Sequence, residues 1–168
     1  EMIDSAATIK TVMMMINRPA NTDEELELLK NGCRVLINML ASSRDKDEKF
    51  RLQAVESMKT MAESRDDEVS EIFILCLCLA SQSEQCRPVM VSSKLLASID
   101  TRSIFKDSRI GFAYLTMYRN IANDPQMRTE LVDSSCIGRF MDICKLRNPE
   151  LDKAVAAALY CISCAEAN

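Results

Sequence analysis

An internal repeat of about 42 residues limits this chain to a small set of folds, because helical arrays use units of this size. The segment Leu79-Ala80-Ser81 is echoed by Ile121-Ala122-Asn123, and Ile99 is followed by Met141 at the same spacing. Such a helical unit cannot bury its apolar side chains alone and does so by stacking on its neighbours. The repeat therefore predicts an α-solenoid. The alternative is a non-repetitive helical bundle in which these similarities are accidental.

The repeat divides the chain into four approximate units within one domain, 1–168. The units are 1–43, 44–82, 83–123 and 124–168. Arg51, Arg87 and Arg128 occupy equivalent places in the last three units, and each repeat is expected to contain a short, a medium and a long helical segment. The first unit is partial, and the second has a shortened middle.

The composition supports an all-α protein with an aliphatic core. Glycine occurs three times and proline four times, too rarely for the turns of an all-β fold, while aromatic residues make up 5% and tryptophan is absent. Apolar residues recur with the helical period of 3.6. The predicted helices include Met2–Ile16, Thr22–Ala41 with Thr22 and Glu25 as a capping box, Asp45–Glu63 and Glu68–Ala80. Pro88, Pro125 and Pro149 lie where first helical turns are expected.

Charge and hydropathy argue against nucleic-acid and membrane partners. The net charge is −4, and the basic residues are spread along the chain instead of forming the clustered basic face that nucleic-acid binding requires. The longest uncharged stretches are Ile72–Ser83 and Ala154–Ala165. Both are much shorter than the run of about 20 apolar residues that a helix needs to cross a bilayer.

The side-chain inventory argues against catalysis and metal binding. The chain has no histidine, which removes the commonest general base and the histidine-dependent catalytic triads. Cys161 and Cys164 have half of a zinc-ribbon spacing, but no second Cys-x-x-Cys completes four ligands. We therefore expect no enzyme activity, no cofactor and no metal. Eight cysteines among aliphatic neighbours are typical of buried free thiols, which predicts a reducing compartment, the cytoplasm or the nucleus.

The last third of the chain resembles the armadillo-repeat family. Met141–Asp152 followed by Ala154–Leu159 is similar to the second helix, the Asn-Pro turn and the third helix of that repeat. Tyr118–Ala122 resembles its characteristic ending, and Asp124–Arg128 resembles the short first helix of the next copy. The resemblance implies a right-handed superhelix of three-helix repeats. Read in this phase, the chain is expected to be a fragment of a longer protein, with neighbouring repeats of that parent chain as partners.

The resemblance also implies a concave groove, lined by third helices, that holds an extended segment of a protein or peptide. The candidate groove residues are Ile74, Cys78, Arg109, Thr116, Arg119, Asn120, Lys153, Ala157 and Cys161. In the armadillo import receptors, Trp and Asn recur on the third helices. Here Ile74, Thr116 and Ala157 hold the Trp places, which disfavours a nuclear transport factor.

Several of these features have a plainer interpretation. Asn120 can bond a peptide backbone in both directions, or it can satisfy the end of its own helix. Met13, Met14 and Met15 are either an adaptable binding surface or part of the core. The acidic runs Asp23–Glu27 and Asp66–Glu71 either recruit a basic partner or solvate a helix face.

Together these observations predict a non-enzymatic protein-interaction module, an armadillo-like part of a scaffold, adaptor or co-chaperone. The alternative is a regulatory helical domain that holds the catalytic part of a larger enzyme inactive.

Overall fold

The protein is all-helical in the part of the chain that its computed structural model describes, residues 5–42, 48–133 and 136–164. No strand occurs within those ranges, so the predicted helical class is confirmed. The helices are α1 Ser5–Ile16, α2 Asp23–Ser42, α3 Glu48–Ser57, α4 Lys59–Glu63, α5 Asp67–Ala80, α6 Cys86–Ser92, α7 Arg102–Lys106, α8 Ser108–Ala122, α9 Pro125–Asp133, α10 Cys136–Cys144 and α11 Pro149–Ser163. None of these described helices combines the length and the apolar character needed to span a membrane.

The beginning of α2 follows the sequence prediction in detail. The Glu25 N–H donates to Thr22 Oγ1 at 3.2 Å, and the Thr22 N–H donates to Glu25 Oε2 at 3.2 Å, which is the reciprocal pairing of a capping box. Helix α1 ends at Ile16, before Pro19, as expected. The predicted start of that helix at Met2 lies outside the described residues.

The predicted helix Asp45–Glu63 is wrong as a single element. The structure breaks it at Met58, between α3 and α4. The Met58 N–H donates to the carbonyl of Val55, three residues back, and this tightened turn ends α3 while leaving Met58 fully buried. Positions 45 to 47 lie outside the described ranges.

The three later long helices begin with the same device. Asp66, Asp107 and Asn148 stand immediately before α5, α8 and α11, and each side chain accepts a hydrogen bond from a backbone N–H of the first turn. Such side chains satisfy donors that a helix leaves unpaired at its start. The three caps are evenly spaced along the chain, and they set the relative register of the three helices.

The helices pack in two series, and within each series a helix contacts the one that follows it along the chain. Each long helix packs against the next one, α2 on α5, α5 on α8 and α8 on α11, and we call this series the long-helix layer. The shorter helices α1, α3, α6 and α9 also pack each on the next. The remaining short helices α4, α7 and α10 each pack against the long helix that follows them. The core therefore runs between two series of helices.

An aromatic cluster lies in this core between α8 and α10. The Tyr114 and Tyr118 rings have centroids 4.9 Å apart, and the Phe140 ring meets Tyr118 edge-on at 5.3 Å. All three side chains are fully buried. This cluster joins α10 to α8 through contacts that are favourable beyond their buried area.

The repeated arginines stabilise the carboxyl ends of the long helices. Arg128 on α9 donates from Nε to the Ala122 carbonyl at 2.6 Å and from Nη1 to the Cys164 carbonyl at 3.0 Å. It therefore joins the end of α8 to the end of α11. A cation at this position satisfies unpaired carbonyl groups and opposes the negative end of the helix dipole.

The equivalent arginines do the same for α5. Arg51 Nη1 donates to the Leu79 carbonyl at 2.8 Å, and Arg87 Nε donates to the Ser81 carbonyl at 2.9 Å. The equivalence that the sequence repeat predicts for these arginines is therefore also found in their contacts.

Candidate functional site: the outer row of the long helices

The long-helix layer presents one face away from the core. Burial on α5, α8 and α11 recurs at the spacing of their caps, so that Val69, Ile110 and Leu151 are all buried at the start of their helices. On α2 the matching offset is one position shorter, which aligns Leu29 with Val69. Six sets of equivalent positions in this register are not fully buried on any of the four helices. Three of them follow one another at helical spacings of four and three residues, and we call these twelve positions the outer row. They are Asn31, Val35, Asn38, Glu71, Leu75, Cys78, Phe112, Thr116, Arg119, Lys153, Ala157 and Tyr160.

The structure brings five of the nine sequence-predicted site residues together in this row. They are Cys78, Thr116, Arg119, Lys153 and Ala157. Cys161 lies beside the row on α11 and is half-buried. Arg109 lies at the start of α8, where its guanidinium pairs with the capping carboxylate of Asp107 at 2.6 Å.

Ile74 does not belong to this surface. Its side chain is fully buried in the core, which corrects the sequence analysis. The sequence alignment paired Ile74 with Thr116, whereas the caps and the burial pattern of α5 and α8 give a spacing one position shorter. That register aligns Thr116 with Leu75 and aligns Ile74 with the buried Leu115. A shift of one residue turns a helical position by about 100°, from the outer row to the interface between helices.

The contact that the Asn120 side chain makes differs from both of the roles that the sequence predicts for it. Its Nδ2 donates to Ser81 Oγ at 3.0 Å, and that hydroxyl donates in turn to the Cys78 carbonyl at 2.7 Å. The half-buried amide therefore joins α8 to the carboxyl end of α5. Asn120 positions two neighbouring long helices, and this contact engages its amide nitrogen.

A shallow depression lies in the row between α8 and α11. It has a volume of about 30 Å³ and is lined by Leu115, Thr116, Arg119, Ala154 and Ala157. The small alanine side chains of α11 leave this space beside the longer side chains of α8. The depression can receive a small side-chain group from a segment that crosses the two helices.

Two exposed aromatic rings flank the depression. Phe112 lies on α8, one turn before Thr116, and Tyr160 lies on α11, one turn after Ala157. Tyr160 is 70% exposed. Aromatic residues are enriched at protein interfaces because their large rigid surfaces bind with little loss of conformational freedom.

Phe112, Tyr160, Val35 and Leu75 belong to the outer row but are not predicted from the sequence. The signal that could have found them is the even spacing of Asp66, Asp107 and Asn148, which fixes the helix register. Periodicity alone places these large apolar residues in the core, because it does not show which apolar position is left uncovered.

Most of the charged side chains near the row are neutralised within the chain. On α2, Lys30 pairs with Asp66 at 3.0 Å and Arg34 pairs with Glu68 at 2.6 Å. Partial burial opposes the ionisation of Asp66, but hydrogen bonds from the Val69 N–H and from Lys30 hold the pKa of this carboxyl below its usual range. The acidic run around Asp66 therefore has a structural role in joining α2 to α5.

Arg119 differs from the other cations of the long helices. Within the described ranges, Lys30, Arg34, Arg109 and Lys153 each pair with a carboxylate, and Arg119 does not. Burial raises the pKa of the Cys78 thiol, and the exposed Arg119 guanidinium lies near enough to oppose that rise. The outer row thus carries a free positive charge beside the depression.

The buried thiols of Cys33, Cys76 and Cys86 are protonated and structural. Burial raises the pKa of Cys33 from 9.0 to about 12 and also raises the pKa of Cys76 and Cys86. A protonated thiol is a poor nucleophile and a poor metal ligand. Within the described ranges, no three residues of the metal-ligating types are grouped to hold an ion.

The three methionines of the run do not all have the same environment, so each of the two predicted roles fits only part of the run. Met13 lines a cleft of about 590 Å³ between α1 and α3, with Ile9 and Phe50. Met14 is 63% exposed, while Met15 is half-buried near Gly32 of α2. The run therefore packs on one side and is open on the other.

Comparisons with protein-family models, with curated proteins and with solved structures found no match to this chain.

Proposed function

We propose that the chain is an armadillo-like α-solenoid of three-helix repeats that serves as a non-enzymatic protein-interaction module. Its outer row forms the floor of a groove that holds an extended segment of a partner protein, as in a scaffold, adaptor or co-chaperone. The packing of consecutive long helices in chain order supports this architecture, because stacked repeats bring equivalent helices side by side.

The observation that carries the proposal is the set of apolar and aromatic side chains left exposed or half-buried on four adjacent helices. Val35, Leu75, Phe112 and Tyr160 belong to four different long helices of the layer. A folded chain gains free energy by covering such groups, so a row of them favours a binding surface over a merely solvated one. The protonated thiols and the lack of histidine favour binding over catalysis.

Selection from a random peptide library displayed on phage tests the proposal. The bait is this chain beside two variants, Phe112→Ser with Tyr160→Ser in the outer row, and Val132→Ser with Met141→Ser on α9 and α10 as a matched loss of exposed apolar surface. We expect selected peptides to bind the parent chain and the α9–α10 variant, and to lose at least tenfold in affinity for the outer-row variant.

Circular dichroism establishes that both variants keep their helical content. Peptides that bind the outer-row variant as well as the parent would overturn the proposal. Peptides that lose affinity only for the α9–α10 variant would move the binding surface to those helices.

A further inference from the structure

The outer row differs in charge from one end to the other, and this difference bears on the kind of partner it accepts. Between α2 and α5 the basic groups are already held by Asp66 and Glu68. Between α8 and α11 the guanidinium of Arg119 is exposed without a carboxylate partner among the described residues. A charge that the fold leaves unpaired on a binding surface is available to a partner.

The surroundings of Arg119 define what lies next to that charge. Thr116 lies one turn before it on α8, and Ala157 faces it across the depression on α11. Tyr160 occupies the position on α11 that Arg119 occupies on α8, in the register of the caps. Neighbouring helices lie about 8–10 Å apart, a distance that two or three residues of an extended segment cover. A segment crossing from α8 to α11 therefore meets a cation and then an exposed aromatic ring.

We infer that the α8–α11 part of the outer row binds an extended peptide in which an acidic side chain and an apolar one lie two or three residues apart. This inference rests on the proposed function, and it names the chemistry of the partner. The carboxylate pairs with the Arg119 guanidinium, which offers a planar set of N–H donors that matches a carboxylate in two-point fashion. The apolar side chain packs on Tyr160.

The rest of the chain sets limits on this recognition. The net charge of −4 repels an acidic peptide at long range, so attraction is confined to the neighbourhood of Arg119. Lys153, two turns before Tyr160 on α11, is paired with Glu150 at 2.8 Å, which leaves Arg119 as the available cation within the described part of this site. Binding is expected to weaken as salt is added, because exposed charges are screened.

The test is a double-mutant cycle on the peptides selected above. The tightest peptide is synthesised with each acidic residue in turn replaced by its amide, and affinities are measured by fluorescence polarisation. The baits are the parent chain, Arg119→Met and Arg119→Lys. Methionine keeps an unbranched apolar stem without the charge, while lysine keeps the charge without the planar donor set.

We expect one acid-to-amide change to weaken binding to the parent chain about three- to fivefold, the usual size of an exposed charge pair. The same change should have no effect with Arg119→Met and an intermediate effect with Arg119→Lys. Because Arg119 is exposed, these variants are expected to keep the fold, which circular dichroism checks.

Two results would overturn the inference, and they differ in what they say about the proposed function. Peptides that depend on Phe112 and Tyr160 but are neutral or basic would overturn the acidic partner and leave the proposed function standing. Peptides that ignore Phe112 and Tyr160 would overturn both.

Discussion

Helices α8 and α11 have the same length of 15 residues and the same kind of polar cap, yet their surroundings differ. Helix α8 packs against long helices on both flanks, α5 and α11, whereas α11 packs against only one long helix among the described residues. Gly111, Leu115, Tyr118 and Ala122 are buried on α8, while their equivalents on α11 are Asp152, Ala156, Leu159 and Ser163, all exposed or half-buried.

Equivalent positions on the two helices therefore have the same location along the helix but carry different types of side chain. Where α8 meets its neighbours, its buried side chains are apolar or aromatic, and the large Tyr118 packs on Phe140 of α10. Where α11 has no described long helix beyond it, the side chains are smaller or polar. The composition of a helix face thus follows the neighbour that covers it.

The largest effect on stability is expected from shortening a buried side chain of α8 whose equivalent on α11 is only half-buried. Replacing Tyr118 by alanine should lower the free energy of unfolding by about 3–5 kcal/mol, because it empties a fully buried site between Tyr114 and Phe140. Leu159→Ala, the equivalent change on α11, should cost only about 1 kcal/mol, since Leu159 is half-buried. Urea unfolding followed by circular dichroism measures both. Equal losses would contradict the contrast between the two helices.

The buried thiols of the core predict how the stability of the fold changes at alkaline pH. Burial raises the pKa of Cys33 to about 12 and raises that of Cys76 and Cys86, from an ordinary value of 9.0. Above pH 9 the unfolded chain releases these protons and the folded chain retains them, so stability falls as pH rises. Each thiol contributes a loss of at most about 1.4 kcal/mol per pH unit.

Cys33 alone should lower stability by roughly 1–2 kcal/mol between pH 9 and pH 10.5, and Cys76 and Cys86 add to the loss in the same direction. Chemical denaturation at a series of pH values measures the slope. Cys33→Ala, whose own packing cost is seen at pH 7, should make the slope shallower. A slope that Cys33→Ala leaves unchanged would refute the assignment to this thiol.

The arginines at the helix ends test whether α11 depends on α8, its long-helix neighbour in the described part of the chain. Arg128→Met should cost about 2 kcal/mol, because it removes charged hydrogen bonds to the ends of both α8 and α11. Arg87→Met should cost about 1 kcal/mol, because the contacts of Arg87 are confined to Ser81 and Gln82 after α5. Thermal unfolding of the two variants gives the comparison. A larger loss for Arg87→Met would mean that Arg128 does not join the helices.

The smallest effects on stability are expected at two glycines, one beside open space and one in close contact with another helix. A Cβ at Gly138 on α10 has no atom within 4 Å, so Gly138→Ala should stabilise by about 0.5–1 kcal/mol through the entropy of the unfolded chain. A Cβ at Gly32 on α2 would lie 2.9 Å from Met15 Cβ, so Gly32→Ala should destabilise by about 1 kcal/mol as α1 is pushed away. Differential scanning calorimetry resolves the two signs, and a stabilising Gly32→Ala would show that α1 moves freely.

The sequence predicted the helices better than the surfaces they present. The capping box at Thr22 and the equivalence of Arg87 and Arg128 depend on residues close in sequence or on a repeated contact, and both are found. The break at Met58 was missed, because a tightened turn leaves no mark on the apolar period.

The candidate site was predicted only in part because it depends on register and on neighbours. Placing Ile74 on the surface followed from an error of one position in the spacing, which local pattern cannot detect. The bond from Asn120 to Ser81 joins side chains that are distant in sequence, and only the packing of α5 against α8 brings them together. The exposure of Tyr160 likewise depends on which helix lies beside α11.

The contacts that tie the long helices together have a mechanical consequence. Bonds made by Asn120 and Arg128 cross between helices near their carboxyl ends and are partly buried, whereas the ion pair of Arg34 with Glu68, which joins α2 to the start of α5, is open to solvent. Ions in solution weaken exposed pairs far more than buried bonds. Dissolved salt should therefore loosen the contact between α2 and the start of α5 more than the contacts at the carboxyl ends of α5, α8 and α11.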